Sequence, residues 1–277
     1  MKRKKLNDFD ISKQSSNKSN SVIDDSELLE KYPEIHKLKM CLKEIEKKGF
    51  IRSHRSHNTG IGKTLEDLLE IEENNVAGPD YGNIEIKTQR ALTSSYLTLF
   101  TKSPSYPEGV NTQLRDKYGK PNSKSPEYNV LHASFFTKFN TTYERWGFAL
   151  YPNDEERRLY LLVKDLITQN IVENEIWYSY QDLEEKIKNK INLLLFVNAE
   201  TRNNEDHEEF KYNSFQIFYD LPFQRFIDFV KQDKIMYDIR IGSYKSGKNK
   251  GKVHDHGSGF RIKSEELKNL FNVKIDI

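Results

Sequence analysis

Gly78-Pro79-Asp80-Tyr81-Gly82-Asn83-Ile84-Glu85-Ile86-Lys87 joins a chain break to a short alternating run. The Gly-Pro pair ends whatever precedes it, because proline fixes its own φ and turns the residue before it away from helix. Ile84-Glu85-Ile86-Lys87 then alternates apolar and charged side chains with period two, the pattern of a strand. On a strand Ile84 and Ile86 share one face, which should turn to the core. Glu85 and Lys87 share the other, which should look into a cleft. Asp80 closes the turn just before this strand, where its carboxylate can swing beside Glu85.

Two carboxylates that converge on one point repel unless a cation sits between them. Hard oxygen ligands select Mg²⁺, which needs only one or two carboxylates and keeps several waters. Asp80 and Glu85 are therefore candidate metal ligands and Mg²⁺ the candidate cofactor. Such an ion can neutralise charge on a phosphodiester and activate a water, and Lys87 beside it can orient that water. Glu66, on an amphipathic helix upstream, can supply a further carboxylate. The competing reading of Glu85 and Lys87 is a solvated pair on a surface strand, and the spacing alone does not separate the two. No Ser/His/Asp arrangement competes. Gly60-Ile61-Gly62-Lys63-Thr64 lacks the four-residue spacer and the preceding strand of a phosphate-binding loop.

Outward from this centre, residues 53–62 carry His54, Arg55, His57, Asn58, Gly60 and Gly62 and read as a basic, flexible loop. Residues 63–73 place Leu65, Leu68, Leu69 and Ile71 at helical spacing. Earlier, Leu38, Leu42 and Ile45 recur with helical spacing up to a Lys47-Lys48-Gly49 stop. Strands are predicted over 96–100, 130–139, 147–151, 159–163, 191–197, 214–219 and 237–244, with helices over 182–189 and 222–231. Residues 104–126 are polar and predicted as one long loop. The composite is a mixed α/β chain, helices packed on a central mixed sheet. Three parts are expected: a disordered polar tail over 1–25, one lobe over 26–160 and a second over 161–277.

Lys and Arg total 44 against 42 Asp and Glu, a net charge of +2, so any nucleic-acid face must come from segregated charge. Cys41 is the single cysteine, which excludes disulfides within the chain and cysteine-based zinc sites and suits a reducing cytoplasm. No apolar run is long enough for a membrane helix. The basic start, Met1-Lys2-Arg3-Lys4-Lys5, is followed by no apolar stretch and is not expected to be a secretory signal.

The run Asn58-Thr59-Gly60-Ile61-Gly62-Lys63-Thr64-Leu65-Glu66-Asp67-Leu68-Leu69, followed by Ala77-Gly78-Pro79-Asp80 and Ile84-Glu85-Ile86-Lys87, resembles the MvaI/BcnI-type restriction endonucleases. These are relatives of the MutH mismatch-repair nickase within the PD-(D/E)XK nuclease fold. A second block, Tyr237-Asp238-Ile239-Arg240-Ile241-Gly242 with His254-Asp255-His256-Gly257-Ser258-Gly259-Phe260-Arg261-Ile262, matches in the right order. The resemblance implies two lobes around a DNA cleft and a type II restriction endonuclease acting as a monomer on double-stranded DNA. It further implies a short site of CC-N-GG form, and a cognate DNA methyltransferase as functional partner. Asp80, Glu85 and Lys87 would be the catalytic triad and Glu66 the auxiliary carboxylate. A partner-dependent strand nickase and a non-cutting DNA-binding protein are the alternatives.

The C-terminal block would read the major groove. Arginine forks match guanine O6 and N7, and an aspartate accepts from cytosine N4. Asp238, Arg240, His254, Asp255, His256 and Arg261 are thus candidate base readers, although Asp238 and Arg240 alone would pass for a surface ion pair and His254 and His256 for half of a zinc site. His54, Arg55, His57 and Lys63 suit DNA phosphates, as do Lys245, Lys248 and Lys250 in a Gly/Lys turn that is otherwise a solvated hairpin.

Overall fold

The computed structural model describes residues 25–72, 78–139, 141–143 and 145–277. The predicted tail lies outside the described residues except for Asp25. From there, helices α1 (Asp25–Lys31) and α2 (Glu34–Lys47) lead to strand β1 (Ile51–Arg52) and helix α3 (Gly60–Leu68). Strands β2 (Glu85–Arg90) and β3 (Tyr96–Thr101), helix α4 (Val110–Tyr118) and strands β4 (Lys120–Asn122) and β5 (Ser125–Phe135) follow. Next come β6 (Thr141–Tyr143), β7 (Trp146–Asn153), β8 (Arg158–Asp165), β9 (Ile171–Ser179) and α5 (Tyr180–Lys186), which runs into a π-helical turn over Ile187–Ile191. The chain ends with β10 (Leu193–Asn204), β11 (His207–Tyr219), α6 (Phe223–Lys231), β12 (Ile235–Ser243), β13 (Val253–Asp255), β14 (Gly259–Lys263), α7 (Leu267–Leu270) and β15 (Val273–Asp276).

The first sheet has the order β1-β11-β10-β2, with β15 sharing the outer edge of β11. Only β10 and β2 run parallel in it. The second sheet, β3-β14-β12-β5-β4, is antiparallel, and β13 pairs with the later part of β12. The third is an antiparallel meander, β6-β7-β8-β9.

Strand β10 explains how these parts meet. Its run Leu193-Leu194-Leu195-Phe196-Val197 is buried throughout, as a strand covered on both faces must be. Leu193, Leu195 and Val197 pack with Ile35, Leu38, Leu42 and Ile45 of α2 and with Ile61 and Leu65 of α3. Leu194 and Phe196 face the larger core, shared with the other two sheets. Each core draws on strands from both sides of residue 160.

Two sequence expectations need correction. The 104–126 segment is not one loop: it folds as α4 and β4, with Val110, Leu114 and Tyr118 buried at helical spacing. The helix expected over 63–73 starts earlier, at Gly60, and stops at Leu68, where Glu70 takes a left-handed backbone with φ 57°. Gly60 is required there. A Cβ on it would stand 2.4 Å from Arg55 O and Ser53 Oγ, so only glycine lets the preceding loop fold onto the helix.

Candidate active site

The register of β2 on β10 decides where the charges go. Glu85 pairs with Leu194 and Lys87 with Phe196, so both lie on the face opposite the α2–α3 core, while Ile84 and Ile86 are buried in that core. Glu85 is more deeply placed than a cleft residue, at 1% exposure. Lys87 Nζ donates to its Oε1 at 2.5 Å. Lys190, from the π-helical turn, brings its Nζ to 2.9 Å from Oε2. The approach is out of line for a hydrogen bond, which leaves Oε2 a buried oxygen with an unused lone pair. Lys190 donates instead to Gly78 O at 2.8 Å. Asp80 lies at the open edge of β2, where its Oδ2 accepts the Ile86 N–H at 2.9 Å. That bond fixes the turn against the strand it precedes.

This donor set fits a hard cation. Asp80 keeps one carboxylate oxygen outside its bond to Ile86, and Glu85 keeps the unused lone pairs of Oε2. Among the described residues no three His, Cys, Asp or Glu side chains form a closed metal cage, His254 and His256 included. Two carboxylates with open positions are what Mg²⁺ takes, whereas a structural zinc site needs four ligands.

A second charged cluster lies on the middle sheet. Asp238, 5% exposed on β12, receives Arg240 Nε at 2.5 Å and Ser134 Oγ at 3.0 Å, and Arg261 Nε stands 2.9 Å away. Loss of hydration pulls the Arg261 pKa down, Asp238 opposes that and Arg240 adds to it. Strand pairing sets His132 of β5 opposite Arg240, and the ring of His132 meets that of His256, which in turn packs on His254. A Cβ on Gly242 would stand 3.0 Å from His256 Nε2, so the small residue makes room for that ring. Asp255 is held rather than free: its Oδ1 accepts from Gly257 and Ser258 N–H, and its Oδ2 from Asn111 of α4 at 2.8 Å. Arg115 of the same helix donates to Ser243 Oγ. Helix α4, unseen in the sequence, thus buttresses β12 and β13.

One cleft of about 910 Å³ joins the two clusters. Glu66 and Lys87 line it together with Asp238, Arg240 and Arg261, and His57, Asn58, Arg90 and Glu208 are also in its walls. Asp80 and Glu85 lie behind Lys87 rather than in the wall. Arg90 and Glu208, both unmarked by sequence reasoning, form a two-pronged pair at 2.6 and 2.7 Å. Of the basic residues expected to meet phosphates, His54 and Lys63 both bind Asp67, at 2.9 and 2.7 Å, and hold its carboxyl below the usual range. Arg55 is exposed beside them, and Lys245, Lys248 and Lys250 are exposed in the β12–β13 hairpin, away from the cleft walls. Sequence reasoning also missed Lys190 and His132. Only the register of strands and the π-turn bring them to the site.

A sequence model of the MvaI/BcnI restriction endonuclease family matches residues 38–271, a span that contains both clusters. The chain is thus a type II site-specific deoxyribonuclease. It belongs to the MvaI/BcnI restriction endonuclease family, as the resemblance implied. Enzymes of this family generally depend on a divalent metal. Among solved structures, restriction endonuclease MvaI in complex with its cognate DNA is 36% identical, covers 87% of this chain and 97% of its own, and superposes with a TM-score of 0.81. MvaI in the absence of DNA, at the same 36% identity and covering 88% and 97%, gives 0.57. The backbone here therefore follows the DNA-bound form more closely. The mixed α+β fold class is borne out by the same match. No curated protein matches the chain. Among the described residues no helix is long and apolar enough to cross a membrane.

Proposed function

We propose that this enzyme uses Mg²⁺ to hydrolyse double-stranded DNA at a short site of CC-N-GG form, with an A·T pair favoured at the centre. The observation that carries this reading is the single cleft in which Lys87 and Glu66 share walls with Arg240, Arg261 and Asp238. A duplex lying there meets cutting and reading groups at once.

Asp80 and Glu85 hold the metal in this proposal. When bound, Mg²⁺ supplies charge neutralisation at the phosphate and a water of lowered pKa. Lys87, anchored through Nζ to Glu85 Oε1, presents its remaining protons to the cleft. It orients the attacking water and stabilises the charge that builds on the phosphate as the new P–O bond forms and a backbone P–O bond breaks. Glu66 adds a carboxylate from α3 on the cleft side. Arg240 and Arg261 offer forks to guanine, with Asp238 bonded to Arg240 and beside Arg261. His254, Asp255 and His256 extend the reading surface along β13, while His54, Arg55, Lys63, Lys245, Lys248 and Lys250 meet phosphates. The protein acts as a monomer in a cytoplasm where a cognate methyltransferase protects host DNA.

The test is digestion of phage and plasmid DNA by the purified protein with Mg²⁺ or EDTA, followed by sequencing of the fragment ends. Discrete Mg²⁺-dependent fragments sharing a CC-N-GG site are expected. Supercoiled DNA left intact under every metal and salt condition would sink the proposal and favour a partner-dependent nickase or a non-cutting binder.

A further inference from the structure

Lys190 belongs to no motif, yet it touches Glu85 and the turn that leads to Asp80. Its ammonium is 17% exposed, 2.9 Å from Glu85 Oε2 and hydrogen-bonded to Gly78 O, two residues before Asp80. A charge so far out of water is costly unless paired, so the geometry is not that of a casual surface bridge. The residue is also held from below. Ile187 and Ile191 bracket the π-helical turn and are buried at 3% and 0%, and such turns recur at functional sites.

We propose that Lys190 is a resident counter-ion of the cutting centre, occupying Glu85 Oε2 until a divalent cation takes its place. The inference rests on the metal site proposed above. Lys87 and Lys190 together give one buried carboxylate two positive partners, one on each oxygen. A metal ligated by Oε2 would stand against the Lys190 ammonium, and like charges that close repel strongly in a poorly hydrated site. The Lys190 contact is the replaceable one. It lacks hydrogen-bond alignment to Oε2, and it has a second partner in the Gly78 carbonyl. It also has somewhere to go: Lys190 lines a cavity of about 200 Å³ with Tyr32, Pro79, Asn83, Lys188 and Asn189, none of which lines the larger cleft. Lys190 thereby keeps Glu85 neutralised and in place without metal, and weakens metal binding by the cost of its own release.

The test is a titration of Mn²⁺, which takes the same oxygen ligands, into the DNA-free full chain, with free Mn²⁺ read by electron paramagnetic resonance. Lys190→Gln keeps a donor for Gly78 O but no charge. It is expected to bind Mn²⁺ about tenfold more tightly than wild type, since no ammonium then has to be parted from Glu85 Oε2 before the metal takes that oxygen. Lys190→Arg, which keeps the charge, should stay near wild type, and Asp80→Ala should lose the site. Equal or weaker binding by Lys190→Gln, with the Asp80 dependence intact, overturns the role of Lys190 alone. Mn²⁺ binding that is absent or indifferent to Asp80→Ala overturns the metal site and this inference with it. A second measurement needs no variant: acetylation of Lys190 in the wild-type protein should rise on Mn²⁺ saturation, and unchanged labelling overturns the release.

Discussion

Glu85 and Asp238 are built alike, and the roles proposed for them differ. Each is a buried carboxylate on a sheet strand, and each gathers two cations, one at 2.5 Å and one at 2.9 Å. The partners differ in kind. Glu85 has two lysines, compact point charges on flexible stems that a metal can replace. Asp238 has two arginines, planar forks rather than point charges; Arg240, held at Nε, still shows its other donors to a guanine edge, and Arg261 stands beside the carboxylate with Nη2 on Gly257 O. In the roles proposed for them, Glu85 exchanges a partner and Asp238 fixes Arg240.

The largest effect should come from the exchanging side. Lys87→Ala and Asp80→Ala are expected to slow cleavage by at least about 100-fold, the range seen when a single group stabilising transition-state charge is removed. Specific binding, measured in EDTA by gel shift, should stay within a few-fold of wild type, since neither residue belongs to the arginine cluster. Loss of specific binding in step with cleavage would break the comparison, because the two clusters would then not act separately.

A smaller effect, on binding rather than cutting, should follow at the other carboxylate. Arg240→Ala is expected to weaken binding to the cognate site by roughly 1–3 kcal/mol, the worth of one good bidentate base contact. Nonspecific binding at the same salt should change little. Arg240→Lys sharpens the contrast, since it keeps the charge and removes the fork. Its cognate affinity should resemble that of the alanine variant, and full rescue by lysine would show that charge, not shape, is what Asp238 holds in place.

How far each cluster was legible follows from the same contrast. Glu85 and Lys87 could be read because a strand of period two puts neighbours-but-one on one face, and Ile84 and Ile86 named the face turned to the α2–α3 core. Asp238 and Arg240 repeat that spacing on β12. Lys190 carries no such signal. It reaches Glu85 only because β2 lies parallel to β10, just after a π-turn that no local pattern announces. Helix α4 was hidden for another reason: residues 104–126 look polar on average, and three buried positions, Val110, Leu114 and Tyr118, suffice to seat it. The pairing of Arg90 with Glu208 joins residues 118 positions apart and could not be read from either end. Local periodicity was visible, and the partners that tertiary register supplies were not.

The smallest expected effect concerns histidine, which the reading cluster has and the partners of Glu85 lack. Loss of hydration holds His132 and His256 below the ordinary value of about 6.5. Arg240 opposes protonation of His132, and His254 and His132 oppose it at His256, while Asp238 and Asp255 pull the other way. The unfolded chain therefore takes up these protons first as the pH falls. Stability from the two neutral rings is fully present above about pH 6.5 and is lost as pH drops towards their folded values. Asp67 has the same sign, but its loss begins only as the pH falls into the ordinary carboxylate range, below this window. Urea melts between pH 7.5 and 5.5 are expected to show a modest fall in midpoint that flattens in a His132→Asn, His256→Asn double variant. A slope that survives both substitutions would move the titrating groups elsewhere and leave pH no means of telling the two clusters apart.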